Sequence, residues 1–238
     1  MHYTNYIFVT GLGRSGNHAI QTWLTGVVGK PFTKLNYCPS IMKRGDTYKK
    51  MVTEHQGEGM SLIQGAEQLN PIRFDHPDFF TADNVKQVII LRHPWNNFVS
   101  QAKALRDRWE DDKVAQWLDI WAYYADEFLG HTSLLPEGSK VTVNYDRWFV
   151  DVDYRAEICE EGLGLEWNDA TLNMIDENWG FSSFDDMSFQ GRAQHMDVLN
   201  RWKLYKDDER FHRFVRMLDD HRAGILMREE FGPPPARF

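Results

Sequence analysis

Gly11-Leu12-Gly13-Arg14-Ser15-Gly16-Asn17-His18 joins a short apolar run, Tyr6–Thr10, to a segment with one apolar face. Gly11 and Gly16 have the G-x-x-x-x-G spacing of a loop that cradles phosphate. In such a loop, backbone N–H groups and the following helix N-terminus together hold an anion. A loop serving ATP or GTP with magnesium continues with Lys and then Ser or Thr, for the outer phosphates and for the metal. Here those places hold Asn17 and His18, and the loop's cation is Arg14. This combination suits one phosphate bearing a small leaving group, bound without a metal ion. The plainer alternative is an ordinary glycine turn with a surface arginine.

A second turn carries related chemistry. The run Val88–Leu91 ends in Arg92-His93-Pro94, and Ser100 follows. Pro94 suits the first position of a helix, where no amide donor is needed. Arg92 then lies at a strand's carboxyl end, with Ser100 about two helical turns further on. An arginine fork and a hydroxyl so placed can share a second phosphate. Taken alone, Arg92 would be read as the partner of a carboxylate. Two anion sites, one for a 5′-phosphosulfate and one for a 3′-phosphate, are what 3′-phosphoadenosine 5′-phosphosulfate (PAPS) requires, and ATP has no 3′-phosphate.

On these residues the sequence resembles the PAPS-dependent sulfotransferases. Their first motif runs Pro, Lys or Arg, Ser or Thr, then Gly-Thr-Thr, and Gly13-Arg14-Ser15-Gly16-Asn17-His18 is similar to it. Gly13 replaces the proline, and Asn17 and His18 replace the threonines. Their second motif, Arg, Asn or Asp, then Pro, with Ser eight residues after the Arg, is similar to Arg92-His93-Pro94 with Ser100. Tyr145-Asp146-Arg147-Trp148 resembles a third, whose Tyr lies near the adenine. Arg201-Trp202-Lys203 resembles the basic and aromatic segment that closes over the nucleotide. The matches run in the family's order from about residue 5 to 205. No aromatic residue follows His18, where several members place an adenine-stacking ring.

The resemblance implies sulfuryl transfer to an acceptor hydroxyl by in-line displacement, governed by positioning and charge stabilisation. Arg14 and the loop amides of Gly13, Ser15 and Gly16 would take the charge growing on the departing 5′-phosphate. His18 or Asn17 would orient the sulfuryl oxygens, since imidazole and amide both donate hydrogen bonds. Arg92 and Ser100 would anchor the 3′-phosphate, with Tyr145 and Lys203 completing the nucleotide site. The family's base, His or Glu, comes at the end of the strand before the arginine strand. Glu67 occupies that place and would be ionised at neutral pH. His55 and Glu54 come next, then His76. Asp75, His76 and Asp78 match no metal-ligand pattern, so no metal is expected. The acceptor, carbohydrate or another small hydroxyl compound, is not legible. The rivals are a P-loop kinase using ATP and magnesium, for which Asp146 is the one supporting feature, and a catalytically inactive nucleotide-binding protein.

The elements that must position these residues alternate strand with helix. Tyr6–Thr10, Met60–Gly65, Val88–Leu91 and Val141–Tyr145 read as strands. Ile20, Trp23, Leu24, Val27 and Val28 fall on one helical face, as do Val114, Trp117, Leu118, Trp121, Ala125, Phe128 and Leu129. Residues 31 to 59 are polar and receive no assignment, and the chain from about 155 reads as mostly helical. The expectation is a single α/β domain over 1–238: three layers, a central parallel sheet flanked by helices, P-loop nucleotide-hydrolase-like, with a helical C-terminal part. A net charge of −8 speaks against nucleic acid as a partner while permitting a local anion site. Two cysteines, Cys38 and Cys159, support neither a disulfide framework nor a Cys-rich zinc site, and fit a reducing compartment. With no basic leader and no apolar run of membrane-spanning length, the expected location is cytoplasmic.

Overall fold

The computed structural model describes residues 2–29, 31–36, 60–66, 81–105, 109–135, 138–168 and 197–233. Five strands form one wholly parallel sheet: β1 (His2–Gly11), β2 (Phe32–Asn36), β3 (Ser61–Ala66), β4 (Thr81–Leu91) and β5 (Lys140–Asn144). Their spatial order is β2-β3-β1-β4-β5, with β1 at the centre. The chain leaves β1 towards one edge and returns to its other side as β4. That reversal opens a crevice beyond the carboxyl ends of β1 and β4, where open α/β sheets bind ligands.

Helices cover both faces. Ile7, Val9, Val88 and Ile90 point towards α1 (Asn17–Val28), α4 (Tyr145–Val150) and α5 (Val152–Glu157) in one core. Ile89 and Leu91 point the other way, into a core with α2 (Pro94–Leu105), α3 (Asp111–Phe128), α6 (Glu209–Asp220) and α7 (Arg222–Phe231). The strict alternation along β4 is the period-2 rule for a strand buried on both faces. Aromatic pairs fix the layers. Trp23 of α1 meets Trp148 of α4 edge-on at 5.6 Å, and Phe98 of α2 stacks on Phe214 of α6 at 4.0 Å. Such pairs contribute about 0.5–1.5 kcal/mol beyond their area burial. The three-layer α/β expectation holds, helical C-terminal part included. No described helix is long and apolar enough to cross a membrane.

Three details depart from the sequence pattern. β2 falls within the polar stretch that carries no periodic signal. β4 starts at Thr81, because its polar first half pairs along the whole of β1. There Asn84 donates to Asn5 Oδ1 at 3.1 Å and to the Leu163 carbonyl at 2.9 Å, so polar residues are satisfied inside the sheet. Tyr145 opens α4 instead of ending β5, since Asn144 Oδ1 accepts the Arg147 N–H at 3.0 Å and caps the helix.

Candidate active site

β1 ends at Gly11, and the chain turns through Leu12–Gly16 into α1. Ser15 N–H closes the turn on the Leu12 carbonyl at 3.0 Å. Arg14 (φ 67°) and Gly16 (φ 98°) both take left-handed backbone. For arginine that conformation is uncommon and strained, a feature that clusters at binding sites. The first N–H groups of α1 have no intrahelical acceptor, and the N-cap residue, Gly16, has no side chain to cap them. The turn therefore stands at the positive end of a helix dipole, the arrangement that holds a phosphate group.

Arg92 lies at the carboxyl end of β4, 2% exposed. Its Nη1 donates to the Arg14 carbonyl at 3.0 Å and its Nη2 to the Val198 carbonyl at 2.7 Å, while Nε has no partner among the described residues. The Tyr145 ring lies under the guanidinium at 5.1 Å and packs directly against Gly16. A buried guanidinium with no carboxylate acceptor is costly unless an anion joins it. The sequence reading of Arg92 alone, as the partner of a carboxylate, does not describe what it touches.

Helix α2 holds the loop from the opposite side. Asn97 Nδ2 donates to Ser15 Oγ at 2.9 Å and to the Gly13 carbonyl at 3.3 Å. One turn later Gln101 Nε2 donates to the same carbonyl at 2.8 Å. Ser100, on the same helix, is buried. Asn97 and Gln101 were not singled out in the sequence, although two amides at i, i+4 on a helix with an apolar core face are a legible signal.

The start of α2 is capped twice. His93 Nδ1 accepts the Trp95 N–H at 3.3 Å, and the His93 N–H goes to Asp146 Oδ2 at 2.6 Å. Burial, with the Arg92 charge adding to it, pushes the His93 imidazole down to about 4 against the opposing pull of Asp146. The ring is neutral at physiological pH, as an N–H acceptor must be. Asp146 is thus spent on the α2 N-terminus, together with a long 3.5 Å contact from Asn96 Nδ2. Asp146, the one feature in favour of a magnesium-dependent kinase, is thereby engaged at the start of α2.

Asn17 is also committed. Its Nδ2 donates to the Gly11 and Leu12 carbonyls at 2.9 and 3.4 Å, bracing the loop from within, and its buried Oδ1 has no partner. The expectation that Asn17 donates to sulfuryl oxygens meets an amide whose donors are already used. His18, by contrast, is exposed.

No protein-family model and no curated protein matches the sequence. Solved structures do match the backbone. The sulfotransferase domain of the Synechococcus PCC 7002 olefin synthase superposes with a TM-score of 0.53 at 15% identity, over 90% of this chain and 94% of that one. Mouse sulfotransferase SULT7A1, complexed with PAP, gives 0.57 at 14% identity, over 95% and 89%. The sulfotransferase domain of the curacin biosynthetic pathway gives 0.53 at 12%, over 90% and 96%. The fold is that of the sulfotransferases. At such identities the likeness concerns the path of the chain and leaves each side chain to be argued on its own geometry.

Within this sulfotransferase fold, Gly13, Arg14, Ser15, Gly16, Arg92 and Tyr145 come together at the carboxyl ends of β1, β4 and β5. Lys203 is exposed on a 3-10 turn, Arg201–Tyr205, with its Nζ 5.8 Å from the Trp202 ring centre. It lines a cleft of about 350 Å³ with His93, Asn96, Asp146, Leu199, Asn200 and Trp202, none of them a loop residue. Glu67, the candidate base, lies outside the described residues, as do Glu54, His55, Asp75, His76 and Asp78. Among the described residues no His, Cys, Asp and Glu cluster is arranged to hold a metal.

Proposed function

We propose that the protein is a sulfotransferase using PAPS to sulfate the hydroxyl of a small-molecule or glycan acceptor. The observation that carries this reading is the α1 N-terminus of the Gly13–Gly16 loop, whose N-cap Gly16 has no side chain to cap it, joined to a buried Arg92 whose Nε has no partner among the described residues. Loop and arginine offer two anion sites from adjacent strands, and the residues present fit a nucleotide with phosphates at both ends. PAPS, when bound, would supply the sulfuryl group, with its 5′-phosphate as the leaving group that departs as PAP.

The chain's own groups then divide the work. The α1 amides and Arg14 stabilise charge at the 5′ end, where preorganised donors lower the barrier most. Arg92 and Ser100 anchor the 3′-phosphate away from the chemistry. Asn97 and Gln101 hold the Gly13–Ser15 backbone at fixed geometry, and Tyr145 walls the loop on its far side. His18, exposed on α1, orients the transferred group, and Glu67, which follows β3 in sequence, takes the acceptor's proton. Lys203 supports the nucleotide from the C-terminal segment. The enzyme is read as cytoplasmic, in keeping with its cysteine usage.

Calorimetric titration with the desulfated product PAP, beside ATP with magnesium, tests this on wild type and Arg92→Ala. Tight PAP binding, weakened at least tenfold by Arg92→Ala in a protein that keeps its circular dichroism, supports the proposal. Preference for ATP with magnesium would overturn it.

A further inference from the structure

The last three residues of α7 each reach a different element of the site's scaffold. Glu229 Oε1 lies 2.9 Å from His131 Nε2, in the turn after α3. Glu230 Oε1 accepts a 2.7 Å hydrogen bond from Asn144 Nδ2, and the Phe231 ring meets His93 edge-on at 5.2 Å. Asn144 and His93 are the residues that cap α4 and α2, the two helices whose side chains Tyr145, Asn97 and Gln101 pack against the nucleotide loop.

We infer that Glu230 is a positioning residue for the PAPS site, acting through Asn144 on Tyr145. The inference rests on the proposed function. Asn144 uses both ends of its amide: Oδ1 caps α4 through the Arg147 N–H, and Nδ2 is held by Glu230. With Nδ2 held, the amide cannot rotate, so Oδ1 stays on the Arg147 N–H. Tyr145, the next residue, is thereby pressed onto Gly16 and held beneath the Arg92 guanidinium. Asp146, one residue further, is kept on the His93 N–H. A six-residue helix has few hydrogen bonds of its own and takes its orientation from such contacts. The support is itself anchored. Arg222 at the start of α7 pairs with buried Asp126 at 2.5 Å, and Leu226 and Met227 are packed in the core. Helix α7 is thus the fixed post against which two cap residues are set, although it supplies no loop residue.

PAP titration of three variants decides the matter, with thermal unfolding followed in parallel. Glu230→Ala is expected to weaken PAP binding about tenfold. Glu230→Gln, which keeps an acceptor oxygen for Asn144, is expected to bind within twofold of wild type. Leu163→Ala, a core truncation beside the first half of β4 and away from the site, is expected to lower Tm at least as much as Glu230→Ala and to leave PAP affinity unchanged. Wild-type PAP affinity in Glu230→Ala, or an equal loss in Leu163→Ala, would overturn the inference while leaving the proposed function standing. Failure of the wild type to bind PAP would overturn both.

Discussion

The ring of Tyr145 lies on Gly16 so closely that a Cβ added to the glycine would stand 2.1 Å from Cε2. Gly16 also holds φ 98°, a backbone that L side chains rarely adopt. Gly16→Ala therefore combines backbone strain with a collision that only a shift of Tyr145 relieves. The strain alone costs about 1–3 kcal/mol. In a chain of this size that lowers Tm by roughly 2–4 °C per kcal/mol. PAP affinity should fall at least tenfold; retention of full affinity would show that the ring's position on the loop does not matter for binding.

Asn97 and Gln101 both donate to the Gly13 carbonyl, so their contributions should couple. Removing either amide by an Ala substitution costs about 1 kcal/mol for the lost hydrogen bond, more where a buried group is left unpaired. The double variant should lose less than the sum of the singles, by about 0.5 kcal/mol or more. Urea unfolding of the four proteins gives the cycle. Strict additivity would mean that the two amides do not act on one loop conformation.

His93 gives the fold a distinctive pH response. Its folded-state imidazole sits at about 4 against an ordinary value of 6.5, so between those limits the unfolded chain binds more protons than the native one. The contribution is fully present above 6.5 and is lost as pH falls towards 4. Carboxylates titrate at the lower end of the same window, so the comparison needs a variant. His93→Asn keeps a cap acceptor that does not titrate. Tm measured from pH 7 to 4 should fall less steeply in this variant than in wild type. Parallel curves would place the cause elsewhere.

Cys159 is fully buried, and burial pushes its thiol up to about 12. The thiolate is the reactive form, so the native protein should not react there. In a Cys38→Ser background, dithionitrobenzoate should release no colour until urea unfolds the chain, and then one equivalent. Rapid reaction without denaturant would show that the Ile158–Leu163 segment opens in the native state.

The sequence by itself determined the two turns and the layers that carry them. Gly16 is needed where the chain goes left-handed, Pro94 starts a helix without needing an amide donor, and the unbroken apolar run Val88–Leu91 must be covered on both faces. These are local requirements, each met within a few residues, so spacing and residue type are enough to reveal them. Glu67 is legible only through the family resemblance, which puts the base after the strand that precedes Val88–Leu91, and it lies outside the described residues. What the tertiary structure decided were the long-range pairings. Nothing local in Arg92 says that it will donate to the carbonyls of Arg14 and Val198, or in Asp146 that it will cap α2 instead of waiting for a metal. Asn17 looked like a ligand donor and proved to be a brace, because backbone carbonyls that turn inward at Gly11 and Leu12 must find a donor once buried. Glu230 could not have been chosen from its neighbours at all. Its partner Asn144 lies on β5, and only the docking of α7 beside that strand's end brings acceptor and donor to 2.7 Å.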